Sequence, residues 1–390
     1  MSERRGGGGR GTSLTDNAPP RKLRVLHLII MLGETNGQYN EHCLPLMGER
    51  DISIVTYFVP KLTPPPEITL FAGDGTLRGF FRALKVALRA KYDIIHAHAP
   101  QTGTLLVLAT LAWRRFSRVR SSLVYTVQDS FYDYKLRNQL MMIISLAAFR
   151  RIVFCSRSAY ESLPRTLDRL VRGRSRVVPN GADLDRVDRA IATRRPAPSG
   201  DGFTVISVGR LERVKDPLTL VNAFARAVGD DAGSRAILVG AGELSTTIEA
   251  RARELRLHDR VVLTGLVPRD DVFVACADAD VFVSTSHGEG LPVAVLEAMG
   301  AGCPVILSDI PPHRELADGA DFIPFIDPGN VDGFADAIRR FHAMTPIERR
   351  EVGRRCREHM AARFTLPIMR AGTEAVYREV APLVGSGAPG

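Results

Sequence analysis

Apolar positions in this chain gather into short, nearly unbroken runs separated by stretches of helical periodicity. The first run, residues 22–32 (KLRVLHLIIML), ends at Gly33. A run with no polar alternation is buried on both faces, which predicts a parallel strand. Further runs stand at 52–59, 92–97, 123–127 and 151–155, with helical patterns between them such as 79–89. A short apolar piece at 176–179 ends in Asn180-Gly181, a turn signal. Residues 185–202 (DRVDRAIATRRPAPSGDG) lose the pattern, gather Pro, Gly and charge, and read as an inter-domain linker. A second series then begins, at 203–208, 236–239, 261–263, 279–284 and 304–308.

Strands alternating with helices imply right-handed βαβ units and doubly wound parallel sheets. The predicted fold class is therefore α/β, with two Rossmann-like domains over 21–184 and 203–364 facing a central cleft. Ligands of such sheets sit at the carboxyl ends of the strands, which puts the site between the domains. The amphipathic segment 365–385 is expected to form a helix that crosses back and completes the first domain. A chain of 390 residues is long enough for two cores.

Composition narrows the class. Residues 1–20 are rich in Gly, Arg and Ser and lack an apolar core, so they predict a disordered tail and not a signal peptide. The longest apolar runs, 105–113 and 140–149, are about half the ~20 residues of a membrane-spanning helix. Five cysteines lie far apart with no C-x-x-C, which suits reduced thiols in the cytoplasm and argues against a disulfide framework or zinc site. The net charge of +9 is uneven: residues 1–200 hold 31 Lys and Arg against 16 Asp and Glu, the remainder 21 against 27. Either the first half meets an anionic partner or its Arg-rich helices are simply solvated. Nucleic acid is not expected, since no helix-turn-helix, zinc-finger or RNA-binding signature is present.

The densest chemistry lies in residues 284–306 (STSHGEGLPVAVLEAMGAGCPVI). A strand ends at Ser284, a Gly-rich loop follows, and Leu291-Pro292 opens a helix to about Met299. The free N–H groups of Leu291, Val293 and Ala294, with the positive end of the helix dipole, make a site suited to a diphosphate. Glu289 and Glu297, eight apart, are carboxylates able to accept paired hydroxyl hydrogen bonds from ribose or hexose.

These residues, with GLPVAVLEAMGAGCPVI around them, resemble glycosyltransferase family 4, which has the GT-B fold. The resemblance extends upstream in the expected order through VPNGAD (178–183), VGRLERVKDPLTLVNAFA (208–225), LVGAGEL (238–244) and VVLTGLVPRDDV (261–272). It implies that Arg210 and Lys215 clamp the donor diphosphate and stabilise the leaving nucleotide without a metal or cofactor. It further implies that Glu297 holds the ribose and Glu289 the transferred sugar. The backbone of Gly265, Leu266 and Val267 would meet the base, and Gly290, Leu291, Pro292 and Val293 would complete the donor site. The expected donor is a UDP- or GDP-linked hexose, transferred with retention of anomeric configuration to a saccharide or lipid-linked acceptor. The usual setting of relatives is cell-surface polysaccharide or glycolipid assembly.

The first half offers fewer signals. Gly33 to Gly37 follows a strand where backbone N–H groups can approach phosphate, or is only a turn, and it lacks the family's tandem glycines. In DIIHAHAP (93–100), alternation puts His96 and His98 on one face, His98 nearer the cleft. By the resemblance His98 sits beside the donor sugar; His96 is expected to be a satisfied core residue. Where many relatives have a His, Gln128 stands here, followed by Asp129; both are acceptor-side candidates. Asp129 either accepts a proton or caps the next helix. The expected location is cytoplasmic, with the basic half and Phe80, Phe81, Trp113 and Phe116 offering peripheral contact with the membrane's inner face. Two other readings remain: a sugar-nucleotide epimerase of the same fold, and a non-catalytic sugar-nucleotide-binding module.

Overall fold

A computed structural model describes residues 22–34, 36–193 and 202–381. Seven strands, β1 (Arg24–Ile29), β2 (Asp51–Thr56), β3 (Ile68–Phe71), β4 (Ile94–Ala97), β5 (Leu123–Val127), β6 (Arg151–Phe154) and β7 (Ser175–Val177), form the first sheet. Its order is β3-β2-β1-β4-β5-β6-β7, parallel throughout. Six more, β8 (Thr204–Val208), β9 (Arg235–Val239), β10 (Val261–Gly265), β11 (Val281–Ser284), β12 (Val305–Ser308) and β13 (Phe325–Ile326), form the second. That sheet is also parallel, ordered β10-β9-β8-β11-β12-β13. The order reverses between β1 and β4 in one sheet and between β8 and β11 in the other. Crevices open at such switch points, beyond the carboxyl ends of the strands.

β3 and β13 escaped the sequence pattern because both are short edge strands, only partly buried. A larger departure concerns the expected linker. Residues Leu184–Ala192 form a helix, capped by the Asp183 carboxylate, and Val187 and Ala190 pack with Phe273 of the second domain. Their polar face misled the reading, since only one narrow apolar stripe is buried. The rest of that segment, 194–201, and the tail 1–20 lie outside the described residues.

The helix Leu366–Val380 lies on the first sheet. Leu366, Met369, Val376 and Tyr377 share one cluster with Val25, Ile94, Val124 and Val153. Glu379 accepts from Arg151 at 2.6 Å and from Arg176 at 2.9 Å, and Glu374 pairs with Arg50. This last described helix thus packs back on the first domain. All five cysteines are buried free thiols. No helix among the described residues is long and apolar enough to cross a membrane. Phe80 is fully buried, and Phe81, Trp113 and Phe116 are half-buried against the core, so these aromatics are not the exposed contact set expected of them.

Candidate active site

Beyond β8 the chain must turn sharply, and Asp216 supplies the turn with φ of 45°, left-handed for a non-glycine residue. Its carboxylate caps the helix Pro217–Val228, accepting from Thr219 N and Oγ1, and meets His287 Nε2 at 2.9 Å. Thr285 Oγ1 donates to the carbonyls of Lys215 and Asp216 at 3.0 and 2.8 Å, and His287 N donates to Val214 O. The loops after β8 and β11 are therefore stitched together. That stitching brings Lys215 Nζ to Glu289 Oε1 at 2.5 Å, where Ser286 Oγ also donates at 2.7 Å.

Behind Glu289 lies a polar relay. Buried His313 shares hydrogen bonds with Ser308 and a long 3.5 Å contact with Ser284, which is 3.2 Å from Ser286. Burial holds the His313 imidazole below its ordinary pKa, partly opposed by the Glu289 charge.

A cavity of about 500 Å³ opens between the domains. Arg210, Lys215, Leu266, Val267, Glu289, Pro292, Val293 and Glu297 line it from the second domain, and Gly37 and Glu41 from the first. The helix above it is Val293–Gly300, beginning two residues later than expected, with Pro292 as its N-cap. Its positive end faces the cavity. Leu291 does not line the cavity; it is buried, and its carbonyl accepts from Asn180 Nδ2 at 3.1 Å. Gly290 likewise faces the first domain. A Cβ there would stand 1.9 Å from Gln128 O, so only glycine permits this approach. The neighbouring carbonyls are tied down, Gly290 O by Ser156 Oγ at 2.7 Å and Glu289 O by Ser130 Oγ at 2.9 Å.

Glu297 is buried and accepts from Arg269 Nε at 2.6 Å. Arg269 also donates to Glu41 of the first domain at 3.0 Å, so one guanidinium bridges two carboxylates across the cleft. Burial raises both carboxyl pKa values, Glu41 to about 7, with Arg269 pulling each back. Neither Arg269 nor Glu41 was singled out from sequence. Arg269 sits inside the quoted VPRDDV motif, and its charge was the available signal. Arg210 is two-thirds exposed and pairs with Glu212 at 2.8 Å.

Other expected residues lie elsewhere. Gly33 and Gly265 do not line the cavity; Gly265, at φ 68°, ends β10 and its carbonyl accepts from Gly240 N. Gly37, by contrast, lines the cavity and caps a tight π-type turn, Gln38–Cys43, so that part of the segment is a turn. His98 is buried away from the cavity, sharing a 2.9 Å hydrogen bond with His27. His96 is engaged at both nitrogens, by Tyr377 OH at 2.7 Å and Thr126 Oγ1 at 2.6 Å. Burial and mutual proximity hold His96 and His98 well below the ordinary histidine range. His27, His96 and His98 place ring nitrogens within 4.8 Å of one another, a spacing a metal ion could use, but both His96 nitrogens and one on each of the others are already bonded.

On the acceptor side, Gln128 is held by its backbone: its N–H bonds Tyr134 OH and its carbonyl accepts from Cys155. The helical turn Phe131–Asp133 has Ser130 as N-cap, so Asp129 does not cap it. Burial raises the Asp129 carboxyl, helped by Glu289 and opposed by Lys215 and Arg210. Asp133, which packs on Gly288, is raised to about 6 by burial, Asp129 and Glu289. It was missed because DSFYD offered no reason to prefer its second aspartate.

Comparison with known proteins identifies the family and the fold. The family model described as glycosyl transferases group 1 matches residues 188–359, and that of Glycosyltransferase Family 4 matches 41–186. UDP-Gal:alpha-D-GlcNAc-diphosphoundecaprenol alpha-1,3-galactosyltransferase of Escherichia coli is 28% identical over 310 residues, covering 76% of this chain and 77% of that protein. Alpha-monoglucosyldiacylglycerol synthase of Streptococcus pneumoniae is 23% identical over 287 residues, covering 68% and 63%. Among solved structures, sucrose-phosphate synthase of Thermosynechococcus elongatus superposes with a TM-score of 0.75 at 21% identity, over 92% of this chain and 99% of that one. Anabaena HepE bound to UDP-glucose gives 0.71 at 19%, over 91% and 99%. The chain belongs to glycosyltransferase family 4, and it is a glycosyltransferase with the GT-B fold.

Proposed function

We propose that this glycosyltransferase takes a hexose from a UDP- or GDP-linked donor and transfers it, with retention, to a lipid-linked or saccharide acceptor. The observation that carries the donor site is the Lys215–Glu289 pair at the mouth of a cavity closed by a helix N-terminus. A diphosphate entering there meets Lys215, Arg210 and the dipole of Val293–Gly300, so positive charge is fixed where the leaving nucleotide becomes more negative. Lys215 then exchanges Glu289 for phosphate. Glu289 is released to accept sugar hydroxyls, still held by Ser286. Glu297 accepts the ribose hydroxyls once Arg269 yields part of its bonding. Two cations and a helix end supply the charge stabilisation that a divalent metal provides elsewhere, which supports metal-independent transfer.

Lipid-linked acceptors are supported by the names of two relatives, one acting on a diphosphoundecaprenol-linked sugar and one making a glucosyldiacylglycerol. The pathway that fits is cell-surface polysaccharide or glycolipid assembly. Asp129 and Asp133 border the sugar end of the site, where an acceptor hydroxyl would approach.

A thermal-shift panel of UDP, GDP, ADP and their sugar conjugates, with chelator present, tests the donor reading. A rise of several degrees with UDP or GDP is expected from a ligand that binds only the folded state. No shift with any nucleotide, or a shift that requires added metal, would count against it.

A further inference from the structure

We propose that the outer face made by the helices Pro100–Ala112 and Leu136–Ala148 docks on an anionic lipid bilayer. Leu136, Leu140 and Ile144 recur every four residues and so form one stripe. Leu136 is 71% exposed and Leu140 58%, and Tyr132, just ahead of them, is 70% exposed. The opposite side of the same helix, through Met142, Ser145 and Leu146, is buried.

The neighbouring helix extends the stripe. Gln101 Nε2 donates to Asn138 Oδ1 at 3.2 Å and Thr104 Oγ1 to Met141 O at 2.6 Å, which fixes the side that faces its partner. Leu108 and Leu111 continue the line of Gln101 and Thr104 at helical spacing, and both are exposed. Isolated exposed apolar residues are ordinary, but a periodic row across two packed helices is a surface in want of a cover.

Charge selects the occupant. Residues 94–128 and 134–160 contain nine Arg and Lys and no Asp or Glu. Arg114, Arg118, Arg120, Lys135, Arg137 and Arg150 are exposed, and none enters an ion pair among the described residues. A second copy of this chain would bring the same positive face against it. An anionic bilayer answers both features: leucines enter the acyl boundary and arginines meet lipid phosphates.

Placement ties the face to the reaction. The stripe starts at Tyr132 and Leu136, immediately after Ser130, whose Oγ bonds Glu289 O, and beside Asp133, which packs on Gly288. A headgroup at the bilayer surface therefore arrives at the cleft end of the stripe. This deepens the lipid-acceptor reading and rests on it for its purpose, but docking itself is measurable without any transfer.

The test is co-sedimentation of the full chain, at low salt, with vesicles of phosphatidylglycerol or of phosphatidylcholine. Wild type is expected to pellet with the former and not the latter. Leu136→Ser/Leu140→Ser/Ile144→Ser and, separately, Arg114→Gln/Arg118→Gln/Arg137→Gln should each bind about tenfold or more weakly. Both should keep the wild-type melting curve and the wild-type shift with sugar nucleotide. The proposal is overturned if wild type stays in the supernatant with phosphatidylglycerol, or if the triple-Ser variant binds as tightly as wild type. It is equally overturned if light scattering shows a wild-type dimer that the triple-Ser substitution dissolves. Vesicle binding that survives while no lipid-linked acceptor is glycosylated would sustain the docking face and defeat the acceptor reading instead.

Discussion

The second-domain wall of the cleft and the histidine cluster behind the first-domain wall handle buried polar groups in opposite ways. On the second-domain wall, charge is kept and balanced: Lys215 on Glu289, Arg269 on Glu297, each pair facing the cavity. On the first-domain side, beneath the end of β4, charge is removed. His27, His42, His96 and His98 crowd together, with ring centroids of His96 and His98 only 4.0 Å apart, and burial holds them in their neutral range. A balanced ion pair can be exchanged for a charged ligand. A neutral, close-packed cluster has nothing to exchange and contributes shape. The difference assigns chemistry to the second-domain wall and support to the histidine cluster.

The strongest way to break this comparison is Lys215→Ala. Removing a cation fixed at the developing charge should lower kcat/KM by about a thousandfold. Steady-state kinetics and a melting curve check it. A variant with wild-type turnover would take the chemistry away from this wall.

Arg269→Ala should act on stability more than on the chemical step. It strands Glu41 and Glu297, two buried carboxylates that share its guanidinium, and a broken buried pair costs about 3 kcal/mol. Adding Glu41→Gln should restore part of that loss at pH 7 and above, because glutamine neither carries an unpaired charge nor has to take up a proton on folding. Urea unfolding of the two variants measures both. If Glu41→Gln rescues nothing, Arg269 does not bridge the domains in solution.

The histidine side makes the converse prediction. His98→Asn should cost about 1–3 kcal/mol, the toll of leaving the His27 partner unpaired in a dry site. Its kcat, measured on folded protein, should stay within severalfold of wild type. A loss as large as that of Lys215→Ala, at an unchanged melting temperature, would return His98 to the reaction centre, where the family resemblance first put it.

That contrast also explains what the sequence could disclose. The two sheets were legible because parallel strands buried on both faces leave nearly unbroken apolar runs, as in residues 25–32, where only His27 interrupts, and 281–283. Lys215 and Glu289 were legible because each follows a strand end within a dense local motif. Arg269 and Glu41 were not, since 228 positions separate them and neither has a local pattern to mark it. The direction of the His98 side chain was also hidden. Alternation along β4 put it on one face with His96, but the cover over that face comes from His27 and His42, on other elements. Residues 185–192 read as linker because a surface helix with a single buried stripe looks polar when taken without its partner, Phe273.

The smallest expected effect is also the most direct test of where charge is tolerated. Glu41 has its carboxyl raised from an ordinary 4.5 to about 7, chiefly by burial. The folded state therefore holds this proton more tightly than the unfolded state does. Its contribution is fully present below about pH 4.5 and is lost as pH rises towards 7, where Glu41 ionises in the folded protein as well. Glutamine cannot ionise, so the Glu41→Gln variant escapes that loss. Its melting temperature relative to wild type should climb between pH 4.5 and 7 and level off above. The histidines do not confound the measurement. They destabilise the fold in the opposite direction, as pH falls below 6.5, and they do so equally in both proteins. A difference that stays flat across this window would mean that Arg269 holds Glu41 ionised throughout. The charged arrangement would then extend onto the first-domain wall as well.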